Sequence, residues 1–113
     1  MSNLPSPPVP QKLREMLKDY PEHLARLQEV LDKYVHKPFH LMLFDGAVWA
    51  IEGRLETFMS EARVELKAAE AKGDAEAIQK AKAKDFAMGS ARLNMGGMSD
   101  LFDYFQTHKE AFE

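Results

Sequence analysis

Residues 39–53, FHLMLFDGAVWAIEG, place Asp45-Gly46 between two apolar runs, and the fold turns on how that pair is read. As the turn of a β-hairpin, Asp-Gly is among the strongest short-range signals. Two features weigh against it. Leu41-Met42-Leu43-Phe44 does not alternate, so a strand there would be apolar on both faces. A lone two-stranded ribbon is also marginal, and no third strand is visible along the chain.

Read as a helix, the same stretch is orderly. At ~100° per residue, Leu41, Phe44, Val48, Ile51, Leu55, Phe58, Met59, Ala62, Leu66 and Ala69 fall into one stripe. Opposite them Gly46, Ala50, Gly53, Thr57, Ser60 and Val64 form a second stripe of small side chains, with Trp49 at its edge. Charged residues fill the flanks, Arg54, Glu61 and Glu65 on one and Glu52, Glu56, Arg63 and Lys67 on the other. An interior glycine costs about 1 kcal/mol relative to alanine, which close packing on the small stripe can offset. The spacing therefore favours one helix over about 39–72, with Gly46 well inside it. Such a helix is ~50 Å long and outreaches a compact chain of this size, whose radius of gyration is near ~13 Å.

Outward from this helix the punctuation is clear. MSNLPSPPVP, residues 1–10, cannot form a regular helix, because proline fixes φ and supplies no donor; it reads as a flexible polyproline arm with two PxxP spacings, Pro5/Pro8 and Pro7/Pro10. Gln11 to Tyr20 reads as a short helix and Pro21 to His36 as a second, with Pro21 in its first turn and Lys37-Pro38 at its end. Gly73 suits a left-handed C-terminal residue and Asp74 the cap of a fourth helix reaching Leu93. After Asn94-Met95-Gly96-Gly97, Ser99 caps a last helix rich in aromatics. Residues 11–113 thus form a single domain, all-α, an irregular bundle of about five helices around one long central helix.

With 113 residues, 45% hydrophobic and 29% charged, the chain has the composition of an ordinary globular domain. A formal net charge of −3 argues against direct nucleic-acid binding; Lys80, Lys82 and Lys84 form one basic cluster, spread around a helix and read as a solvated surface. There is no cysteine, hence no disulfide, thiol nucleophile or thiolate metal site. No leader pattern and no membrane-length apolar run occur, so the cytoplasm is the expected compartment.

Candidate chemistry is sparse. His36 and His40 are four apart but separated by Lys37-Pro38, and no Glu-x-x-His or His-Glu-x-x-His motif occurs, so neither metal nor other cofactor is implied. Ser60, Ser90 and Ser99 lie outside any nucleophile elbow, and no catalytic set emerges. Asp85 and Arg92 fall in the arc of Ile78, Ala81 and Met88 on the fourth helix, where they either pair with other helices or mark a polar pocket. The expectation is a non-enzymatic interaction or scaffold protein. Its homodimer interface would comprise Gly46, Trp49, Ala50, Gly53, Thr57 and Ser60, unless the fourth helix covers that stripe within the chain. A partner-binding surface would be formed by Phe102, Tyr104, Phe105 and Phe112. The alternative is a small-molecule binder or enzyme using the Asp85–Arg92 pocket.

Overall fold

A computed structural model describes residues 6–37, 40, 42–96 and 98–112. Its elements are α1 (Gln11–Met16), α2 (Pro21–Val35), α3 (Leu43–Lys72), α4 (Ala75–Leu93), α5 (Ser99–Thr107) and a closing 3-10 turn, Lys109–Phe112. The fold is an all-α bundle built on a long central helix, with no strand among the described residues. Asp45 and Gly46 are helical: the Gly46 amide donates to the Met42 carbonyl oxygen at 2.7 Å. The helix starts later than the periodicity suggests, however. Met42 is extended (φ −131°, ψ 93°), so Gly46 stands in the first turn of α3 and not deep inside it. Leu41, Pro38, Phe39 and Gly97 lie outside the described residues.

Tyr34 explains both the boundary and the glycine. Its buried hydroxyl donates to the Leu43 carbonyl oxygen at 2.7 Å, and its ring is held by Phe105 and His40. A Cβ on residue 46 would collide with the Tyr34 hydroxyl oxygen and lie 3.0 Å from its Cζ. Glycine is the residue that lets α2 and the start of α3 approach this closely.

The remaining punctuation follows local chemistry. Tyr20 leaves the helical region (φ −127°, ψ 68°) and Pro21 opens α2, where its missing N–H costs nothing. Gly73 adopts the left-handed conformation (φ 71°) that closes α3. The Asp74 carboxylate accepts from the Glu76 and Ala77 amides at 3.1 and 3.3 Å, satisfying two donors of the exposed start of α4. Ser99 is the first residue of α5, and Met98, at φ 53°, takes the capping position instead.

The core contains Leu13 and Leu17 of the α1 region, Leu27 and Leu31 of α2, Ile51, Leu55 and Phe58 of α3, Met88 of α4 and Leu101 of α5, all fully buried. Pro7, Val9 and Pro10 are buried too. Gln28 donates to the Pro7 carbonyl oxygen at 2.7 Å and Arg14 to that of Val9 at 2.9 Å. At residues 7–10 the proline segment is therefore packed, not the loose arm its composition suggests; residues 1–5 lie outside the described residues.

Packing ends well before the helices do. Of α3 beyond Ala62, only Ala69 is buried, and no residue of α4 before Met88 is. The distal end of the α3–α4 hairpin thus projects past α1 and α2, and the molecule measures 54 × 22 × 21 Å with a radius of gyration of 16.2 Å. The α3–α4 seam is the most extensive helix pairing in the molecule.

Candidate functional site

The surface that α3 leaves open is built by its phase. Ile51, Leu55, Phe58 and Ala62 turn inward and are fully buried. Salt bridges mark the two sides of the helix on which its neighbours sit. Towards α2, Arg26 grips Glu61 at 2.7 and 2.9 Å, with its guanidinium 4.7 Å above the Phe58 ring, and Arg54 lies 3.6 Å from Glu29. Towards α4, Arg92 bridges Glu52 at 2.7 Å and Glu56 at 3.0 Å, Arg63 pairs with Asp85 at 3.6 Å, and Lys84 pairs with Glu65 at 3.0 Å.

What remains is the outer face. Trp49 is 58% exposed and Val64 67% exposed. Between them Gly53, Thr57 and Ser60 are exposed and Ala50 is half-buried. Nothing lies within 4 Å of the place a Gly53 Cβ would occupy, and the Thr57 hydroxyl turns back to the Gly53 carbonyl oxygen at 3.2 Å. Gly46, at the head of the small stripe, meets α2 closely through Tyr34, whereas Gly53, Thr57, Ser60 and Val64 are left uncovered.

Asp85 and Arg92 sit two turns apart on α4, and each is engaged by α3 through the ion pairs above. The C-terminal aromatics divide. Tyr104 and Phe105 are buried, and Phe112 packs half-buried against the core. Phe102 is 44% exposed, with its ring 5.3 Å from that of Phe44. The face that would have offered four aromatics to a partner therefore supplies the bundle's own interior with three. Comparison of the chain with protein-family models, with curated proteins and with solved structures finds no significant match.

Among the described residues, no group of three or more His, Asp or Glu side chains converges as a metal site. No helix there is long and apolar enough to cross a membrane. His36 and His108 each turn a ring nitrogen to the carbonyl oxygen one turn earlier, at 2.7 and 2.9 Å, and His40 lies 2.6 Å from the Tyr34 carbonyl oxygen.

Three features of the surface and core stand outside the expectations above. His23 is buried edge-on against Phe58, with ring centroids 4.7 Å apart. Burial, with Lys84 and Arg26 nearby, holds its imidazole below the ordinary histidine range. Phe86 and Leu93, seven apart on α4, are 76% and 83% exposed; that spacing was present in the sequence as a second apolar line on α4. Finally, Lys72, Lys80 and Lys84 gather around an alanine-floored groove of about 620 Å³, which requires knowing how α3 and α4 align.

Proposed function

We propose that the chain is a non-enzymatic interaction protein that associates with a second copy of itself through the outer face of α3. The exposure of Trp49 and Val64 at the two ends of a row of small side chains carries this reading. A continuous exposed face of apolar and small side chains on one helix is the kind of surface on which a second helix can pack. The two pairs Trp49/Val64 and Gly53/Ser60 are centred on the same point of α3, beside Thr57. An antiparallel helix pair with its two-fold axis there sets Trp49 of each copy against Val64 of the other, and Gly53 against Ser60. The small residues let the helix axes approach, and the two tryptophans close the ends of the contact.

Because the chain has no cysteine, a single Thr57→Cys substitution tests the register. Two such residues beside a two-fold axis come within disulfide reach. Mild oxidation is expected to yield a covalent dimer from Thr57→Cys and none from Lys80→Cys, which sits on another face. Equal yields from both would refute the register.

A further inference from the structure

The groove beyond the α1–α2 corner is a second surface with a different chemistry. In the proximal half of the molecule α1 lies against α4 and α2 against α3, and Leu13, Leu17, Leu27 and Leu31 are fully buried there. That roof ends at the α1–α2 corner, where Asp19 and Tyr20 form the near wall of the groove. Beyond the corner the α3–α4 seam continues over Ala69, Ala77 and Ala81 with no further helix lining it among the described residues.

The walls are not neutral. Lys84 is neutralised by Glu65 at 3.0 Å. Farther out, Lys72 on α3 and Lys80 on α4 line the groove from opposite helices. Among the described residues neither has a carboxylate within 4 Å. The outer end is thus an apolar floor between two ammonium groups that have no carboxylate partner among the described residues, on a chain whose net charge is −3.

We infer that this groove receives an amphipathic helix of a partner protein, acidic along its flanks, as a continuation of the roof that α1 and α2 begin. From Glu65 to Lys72 the trough is ~10 Å long, room for about two turns of a docked helix. Alanines leave the floor low enough for apolar anchors spaced three and four residues apart. Flanking carboxylates would meet Lys72 and Lys80, the complementarity that sets partner choice. Most of the lining residues are exposed, so the trough does not enclose a compact small molecule as ligand pockets do.

The probe is a synthetic helical peptide with leucines at one face and glutamates on both flanks, labelled for fluorescence anisotropy and titrated with the full chain. A second peptide carries lysine in place of every glutamate. The acidic peptide is expected to bind about tenfold or more tightly than the basic one and to weaken with added salt. Lys72→Glu with Lys80→Glu, both at exposed positions, is expected to cancel that preference while helicity by circular dichroism is unchanged. Ala81→Phe, which fills the floor, weakens the acidic peptide as well. Trp49→Ala, outside the groove, leaves binding intact. Equal affinity for the two peptides overturns the inference, as does a preference that survives the double charge reversal. A loss of self-association in the Lys72/Lys80 variant does so too, since it would give the groove to a second copy.

Discussion

The Tyr34 ring stands against the backbone of Gly46, its Cζ 3.0 Å from where a side chain there would begin, whereas Gly53, two turns on, faces open space. Two glycines in one helix therefore carry opposite signs. Gly53→Ala is expected to stabilise the monomer by about 1 kcal/mol through helix propensity. Gly46→Ala gains the same propensity but forces Tyr34 out of a position fixed by the Leu43 carbonyl oxygen, Phe105 and His40. Overpacking typically costs about 1–3 kcal/mol, so a net loss is expected. Urea unfolding of both variants, under conditions that keep the chain monomeric, reads the difference; stabilisation by both would remove the role assigned to Tyr34.

The start of α3 shows what sequence could and could not supply. The Ile51–Ala62 stripe is written in the spacing of large side chains, and the helix through Asp45-Gly46 follows from it. The exclusion of His40 and Met42 from that helix is not, because it depends on tertiary contacts of Tyr34, nine residues before Leu43. Gly73-Asp74 was legible for the converse reason: a left-handed glycine and a capping carboxylate act within their own few residues. At the C-terminus the aromatics Phe102, Tyr104, Phe105 and Phe112 identified an apolar surface without saying whether the chain or a partner would cover it. Pro7 and Pro10 misled because composition reports missing donors, not burial. The lysine groove could not be seen at all, since Lys72 and Lys80 meet only when α3 and α4 are laid side by side.

His23 gives the chain a defined pH dependence. Its imidazole titrates below the ordinary value of 6.5, chiefly through burial, then through Lys84 and Arg26, with Glu61 and Glu65 opposing. The unfolded chain therefore takes up the proton first as pH falls. The stability contributed by neutral His23 is complete above about pH 6.5 and declines as pH drops from there through the lowered folded value. Melting temperature followed by circular dichroism should fall across this window in the parent chain. It should fall less in His23→Phe, which keeps an aromatic ring beside Phe58. Parallel curves would contradict the assignment.

The hairpin's tip rests on two local devices. Asp74→Ala removes the cap of α4 and is expected to cost about 1 kcal/mol. Gly73→Ala places a Cβ at φ 71°, where the left-handed region disfavours it by about 1–2 kcal/mol. Hydrogen exchange is the suitable readout, because the tip has little burial to couple it to the core. Amides of residues 66–84 should lose protection while those of Leu55 and Phe58 keep theirs.

Arg92 ties α4 to two carboxylates of α3 at once, Glu52 at 2.7 Å and Glu56 at 3.0 Å. Partly exposed pairs of this kind contribute about 0.2–1 kcal/mol each. Arg92→Ala should therefore destabilise modestly and less so in high salt. Arg92→Lys should recover only part of the loss, since an ammonium lacks the fork that reaches two carboxylates. A double-mutant cycle with Glu52→Gln isolates the stronger contact; zero coupling at low salt would show that solvent competes fully.

Everything proposed for the outer face reduces to a mass. Multi-angle light scattering at tens of micromolar is expected to give twice the chain mass of 12.9 kDa for the parent protein and the single mass for Gly53→Leu, whose side chain meets nothing in the monomer but blocks approach of a second helix. A parent protein that elutes at 12.9 kDa under those conditions would contradict self-association through α3, and a Gly53→Leu dimer would place the contact elsewhere.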